Sequence, residues 1–192
     1  MTHSSQALVY RFIPIDKLSV SVLVVFWGCA SLTLLAQMTI PLPFTPVPVT
    51  GQTFGVLLLS LLFGFRLGLA SVGLYLFGGL AGLPIFAMGK SGVLLGPTTG
   101  YLIGMFFAAA LIGSLADRGW AKSFWKAFLA CVAGSVLIYA LGVFVLSFFL
   151  PSESLWMAGI APFIVGDLIK SFVAASISYV TSRRLEASYR YQ

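Results

Sequence analysis

Charge is what this sequence has least of. Only 8% of its residues are Asp, Glu, Lys or Arg, against 59% hydrophobic, and the mean hydropathy is +1.04. A water-facing globular domain carries roughly 25% charged residues, so that class is excluded and an integral membrane protein is implied. Chemistry-bearing residues are equally sparse. There is one histidine, His3, and two cysteines, Cys29 and Cys131, with no CxxC or CxH spacing. Both cysteines fall in apolar runs and read as small packing residues. No Ser/His or Cys/His arrangement, no HExxH and no paired carboxylates at membrane depth are present. Covalent catalysis needs a nucleophile and a base in mutual reach. Only Asp167 is a candidate base, so no enzyme is expected, and no metal or cofactor.

What remains is organised by charge-free gaps. Lys17 to Arg66 leaves 48 residues without a charge, Arg66 to Lys90 leaves 23, and Lys90 to Asp117 and Lys126 to Glu153 leave 26 each. A spanning helix needs about 20 apolar residues. The expectation is an all-α integral membrane protein, a six-helix transmembrane bundle in a single domain over 1–192. The spans fall near 18–38, 52–64, 67–80, 97–116, 127–150 and 160–181. The polar stretch from Met1 to Lys17 reads as a tail leading into a retained helix, not a cleavable signal. With both termini cytoplasmic, Arg11, Lys17, Arg66, Arg118, Lys122, Lys126, Arg183, Arg184 and Arg190 lie inside. Lys90 alone lies in an outer loop. That is the positive-inside pattern, so the net charge of +6 reports topology in the cell membrane and not a nucleic-acid partner.

The connections carry information of their own. Pro41, Pro43, Pro46 and Pro48 make the first outer loop non-helical and stiff. Its apolar character predicts packing against the bundle. Gly64-Phe65-Arg66 reads as a tight inner turn between two short helices. The second outer segment, Gly78 to Pro97, is apolar and glycine-rich. Irregular backbone at membrane depth is tolerated only against protein or a cavity, so the two outer loops together suggest a covered cavity opening outward. Gly96, Gly100, Gly104 and Ala108 form a small-residue stripe for close helix packing. Gly89-Lys90-Ser91 imitates the end of a phosphate loop, but Pro84 stands where that motif needs glycine. The two halves of the chain show no inverted repeat of the kind found in many secondary transporters.

Asp167 and Lys170 stand out. They lie inside the last apolar run, where a charge costs at least ~2.5–3.5 kcal/mol. Their i, i+3 spacing puts them on one helical face. They neutralise each other as a structural pair, or present an acceptor and a donor to a ligand between the helices. A proton site at Asp167 is a further option, and with it a solitary ion-coupled transporter. Gln52, beside Thr50 and Thr53, either caps the second helix or faces the cavity. Lys90 is either solvated or an electrostatic partner for an anion at the cavity mouth.

Four segments carry a resemblance. Pro48-Val49-Thr50-Gly51-Gln52-Thr53, Gly82-Leu83-Pro84-Ile85-Phe86-Ala87, Gly96-Pro97-Thr98-Thr99-Gly100-Tyr101-Leu102 and Gly166-Asp167-Leu168-Ile169-Lys170 resemble the BioY family. Its members are biotin-binding S components of energy-coupling-factor (ECF) transporters. The resemblance implies an outward-facing biotin pocket capped by the loops after helices 1 and 3, and partnership with a transmembrane T component and cytoplasmic ATPases. It implies ligand contacts from Asp167, Lys170 and Gln52, with Lys90 matching a basic residue of the third loop and Tyr75 and Tyr101 as candidates. Two departures stand out. Gly96-Pro97-Thr98-Thr99-Gly100 replaces a common Gly-Pro-Thr-Gly-Gly. The Ala-x-x-x-Ala motif of helix 1 is absent, Cys29 and Thr33 being the nearest small pair. Biotin's ureido N–H groups suit Asp167, its ureido carbonyl suits Lys170, and its carboxylate suits Lys90.

Overall fold

The structure is a computed structural model that describes residues 7–9, 18–92 and 96–189. His3, Arg11, Lys17 and Arg190 lie outside the described residues. Helix α1 covers Leu18–Gln37. Val24, Gly28, Leu32 and Ala36 are its buried residues, a four-residue repeat that keeps one stripe on the protein. Val22, Phe26, Trp27 and Leu34 on the other faces are exposed, as suits a helix bordering hydrocarbon. The packed stripe of α1 therefore runs through Gly28, not through Cys29 and Thr33, which are half-buried.

The proline-rich loop is pinned at its base by a two-residue antiparallel ribbon, β1 (Thr39–Ile40) with β2 (Val49–Thr50), pairing Thr39 with Thr50. The ribbon is short because Pro41 and Pro48 at its flanks cannot donate to a ladder. The loop packs inward as its composition predicts: Val47 is buried, and Thr45 Oγ1 donates to the Ala158 carbonyl at 2.7 Å.

Gln52–Leu80 forms one hydrogen-bonded helical stretch, α2, interrupted at Gly64, whose φ of 73° and ψ of −169° are not helical. The chain turns back there. Gln52 Nε2 meets the Tyr75 hydroxyl at 2.6 Å, whereas a straight helix would hold residues so far apart by more than 30 Å at ~1.5 Å per residue. Asp117 fastens the turn by accepting from Phe65 N at 3.2 Å. A 3₁₀ turn at Ala87–Gly89 follows. Gln37 at the end of α1 clamps it, donating to the Phe86 carbonyl at 3.1 Å and accepting from Gly89 N at 3.3 Å.

Helix α3 is Thr99–Asp117 and α4 is Phe124–Leu146. Their backbones approach closely, and a methyl group at Gly104 would lie 2.8 Å from Ile138 Cα. The glycine stripe thus serves internal packing. Helix α5 is Ser152–Gly159, and α6 is Ala161–Tyr189, packing against both α4 and α2 to close the bundle.

Helix bounds differ from the spans expected. Helix α3 begins two residues after Pro97, because Gly96 to Thr98 form a turn in which Gly96 N donates to Thr99 Oγ1. Helix α4 begins at Phe124 and ends at Leu146, not 127–150. Lys126 lies inside its first turn, since a charged residue at the membrane edge does not break a helix. Ser152–Gly159 is helical where a loop was expected. Helix α6 continues past 181 through Arg183, which pairs with Glu186 at 3.8 Å. Among the described residues, five helical stretches are long and apolar enough to cross a membrane: Leu18–Gln37, Gln52–Leu80, Thr99–Asp117, Phe124–Leu146 and Ser152–Ala187.

Candidate functional site

A cavity of about 160 Å³ lies among the starts of α2 and α3, the middle of α4 and the first turns of α6. Both irregular segments line it: Pro46, Val47 and Pro48 from the proline loop, and Phe86, Ala87, Met88 and Lys90 from the glycine-rich one. Its walls are largely apolar, with Leu102, Met105, Ile138 and Phe163 among them. Phe86 is seated by Gly79, where any Cβ would strike its ring, and by an edge-on contact with Tyr75 at 5.4 Å between centroids.

The polar side of the cavity is one connected cluster. Lys170 Nζ donates to Asp167 Oδ1 at 2.8 Å, to Thr53 Oγ1 at 2.8 Å and to the Thr50 carbonyl at 2.9 Å. Thr53 Oγ1 donates onward to Asp167 Oδ1 at 3.1 Å. The Tyr139 hydroxyl donates to Asp167 Oδ2. Asp167 and Lys170 are therefore an ion pair, with side chains 6% and 20% exposed. Spacing alone left open whether they pair. They do, and both also line the cavity. An ammonium has three donors, and all three of these have acceptors. That is how the fold tolerates a charge at this depth: a buried ion pair needs its remaining hydrogen-bonding positions filled.

Gln52 is buried on the cavity wall, its Oε1 accepting from Thr50 Oγ1 at 3.0 Å and its Nε2 donating to Tyr75. Gln52 does not cap the helix: the N-cap is Gly51, without a side-chain cap, and Thr50 Oγ1 just before it accepts from Gln52 N at 3.3 Å. The structure does not bring Tyr75 to the cavity wall. It stands behind Gln52 and Phe86 and holds them. Tyr101 does line the cavity, but with its ring, because its hydroxyl donates to the Gly159 carbonyl at 2.8 Å. Lys90 is exposed at the cavity edge. Sequence reasoning missed Tyr139. The usable signal was a phenol in the middle of a charge-free run, since a buried tyrosine hydroxyl looks for a partner. Among the described residues no group of three or more His, Cys, Asp or Glu side chains could hold a metal ion.

The family model described as "BioY family" matches residues 5–187. A biotin transporter BioY of Thermotoga maritima is 44% identical over 142 residues, which span 72% of this chain and 83% of the relative. The biotin transporter BioY2 of Lactococcus lactis is 32% identical over 171 residues, 85% of this chain and 91% of the relative. Among solved structures, the crystal structure of the S component for biotin from an ECF-type ABC transporter superposes with a TM-score of 0.78 at 28% identity. The match covers 86% of this chain and 92% of that one.

Proposed function

The chain belongs to the BioY family, and on that premise we propose that it is the biotin-binding S component of an ECF-type transporter, a multi-pass protein of the cytoplasmic membrane. It is a transporter component and not an enzyme. The arms of α2 on either side of Gly64 cross separately in this reading, giving six crossings with both termini inside. The two irregular segments then cover the cavity on the outer side.

The observation that carries the proposal is the Asp167–Lys170–Thr53 cluster against an apolar cavity. Biotin offers two ureido N–H donors and a ureido carbonyl at one end, a thioether ring and an aliphatic chain between, and a carboxylate at the other. Asp167 accepts from a ureido N–H. Lys170 turns one of its three protons from the protein to the ureido carbonyl, an exchange between acceptors and not the loss of a bond. The apolar walls take the ring and chain. Gln52 completes the polar wall, and Lys90, near water, meets the carboxylate.

Purified protein is expected to bind one biotin per chain in a titration with radiolabelled biotin. Well-folded protein with no saturable binding would overturn the reading. The sequence contains no nucleotide-binding motif, so accumulation of biotin is assigned to a T component and cytoplasmic ATPases, to be sought by co-purification from native membranes. The buried Asp167 favours one alternative, a solitary ion-coupled vitamin transporter. Liposomes holding this protein alone then accumulate biotin under a proton gradient. Under the proposal they bind biotin without accumulating it.

Lys90→Ala is expected to weaken biotin by less than the loss of a cluster residue, and the loss shrinks as salt is raised, because an exposed charge is screened over about 10 Å at 0.1 M. Biotin amide, lacking the negative charge, is expected to bind the wild type and Lys90→Ala equally. An equal loss for acid and amide would remove the carboxylate role from Lys90.

A further inference from the structure

We propose that Tyr139 is a positioning residue that fixes the Asp167 carboxylate so that one lone pair of Oδ2 is available to a ligand N–H. The inference rests on the biotin-binding reading above and adds a residue to it. A carboxylate is acceptor-only, with about four lone-pair positions over two oxygens. Oδ1 already takes Lys170 and Thr53, and among the described residues Oδ2 takes Tyr139 alone. The unfilled acceptor capacity of the carboxylate is therefore on Oδ2. Lys170 has no spare proton in this arrangement.

The donors to Oδ1 and the donor to Oδ2 come from different parts of the fold. Lys170 and Thr53 belong to α6 and the start of α2, whereas Tyr139 reaches in from α4. The terminal torsion of aspartate is broad and only weakly restrained by itself. The two oxygens turn together about the Cβ–Cγ bond, so donors on Oδ1 leave the carboxylate the swing that those two hydrogen bonds tolerate, and Oδ2 swings with it. A donor on Oδ2 from a third helix, α4, narrows that swing. Tyr139 lines the same cavity, so the acceptor it fixes is one a bound molecule can reach.

Tyr139→Phe keeps the ring and removes one oxygen. It is expected to weaken biotin about tenfold, the scale of one hydrogen bond to a charged group. Two further measurements separate positioning from packing. First, biotin methylated on the ureido nitrogen that faces Asp167 lacks the N–H in question. Its weaker affinity is expected to be the same for wild type and Tyr139→Phe. Second, in an Asp167→Ala background, Tyr139→Phe is expected to cost nothing more. A full tenfold loss for the methylated ligand, or an additive tenfold loss in the Asp167→Ala background, would assign Tyr139 to packing and overturn the inference. Unchanged biotin affinity in Tyr139→Phe overturns it too. Absence of biotin binding by the wild type overturns the functional reading and this inference with it, whereas wild-type binding with an unaffected Tyr139→Phe overturns the inference alone.

Discussion

Asp167→Asn and Lys170→Met are each expected to lower both thermal stability and biotin affinity, while the double substitution restores the first and not the second. The ion pair is formed without ligand, at 2.8 Å. Removing one member of a buried pair leaves an uncompensated charge and costs ~3–5 kcal/mol. Lys170→Met leaves Asp167, 6% exposed, with Thr53 and Tyr139 as its donors among the described residues. Asp167→Asn leaves the Lys170 ammonium with neutral acceptors only, Thr53 Oγ1, the Thr50 carbonyl and the substituted amide's oxygen. Its greater exposure of 20% puts its loss at the lower end of that range. In the double variant no unpaired charge remains, so stability returns toward that of the wild type. Binding does not return. Two charge-assisted hydrogen bonds at ~1.5–3 kcal/mol each are gone from the ligand, a loss of about 100-fold or more in affinity. Thermal unfolding and biotin titration on the two single variants and the double variant test this together. A double variant that binds biotin like the wild type would remove both residues from the ligand and leave them as a structural pair.

The order of these effects shows what a sequence can and cannot reveal about such a site. That Asp167 and Lys170 share a face follows from their spacing, and that they matter follows from their depth in a run with no other charge. Whether they meet each other does not follow, because it depends on Thr53 and Thr50, which are 114 and 120 residues away from the groups they touch. The helices were legible because charge-free runs and the membrane fix their number of residues. Their ends were less so. Lys126 looked like a boundary and lies in the first turn of α4. Pro151-Ser152-Glu153 looked like a loop, yet a proline followed by an acid in the first turn is also how helices begin, and α5 starts there. Gln52 and Tyr75 were both picked out as ligand candidates. The structure separates them, since only the fold-back at Gly64 decides that Tyr75 stands behind Gln52 and not beside the cavity.

That fold-back depends on Gly64, and Gly64→Ala is expected to destabilise the protein by about 3 kcal/mol or more. Two independent effects add. The φ of 73° with ψ of −169° lies in a region open essentially to glycine alone, at ~1–3 kcal/mol for any other residue. A methyl group there also points into Asp117 and Ala7, and overpacking of that kind costs another ~1–3 kcal/mol. The backbone has little freedom to give way, because Gly113 of α3 packs directly on the Gly64–Phe65 peptide, where a Cβ on it would come within 2.7 Å of Phe65 Cα. Gly166→Ala in α6 is the matched control. Apart from its own helical turn, no described atom lies within 4 Å of a Cβ at that site, and alanine is favoured over glycine in a helix by up to ~1 kcal/mol, so that variant is expected to be as stable as the wild type or slightly more so. Thermal unfolding in detergent compares the two. The turn is remote in sequence from the cavity, yet it sets the register that brings Tyr75 to Gln52 at 2.6 Å and Thr53 to Lys170 at 2.8 Å. Molecules of Gly64→Ala that do fold must therefore rebuild the same hairpin and should bind biotin with the wild-type affinity, saturating at a lower fraction of the chains. A uniform fall in affinity with full occupancy would mean instead that the hairpin tolerates a different turn and slips its register, carrying Gln52 and Thr53 out of place.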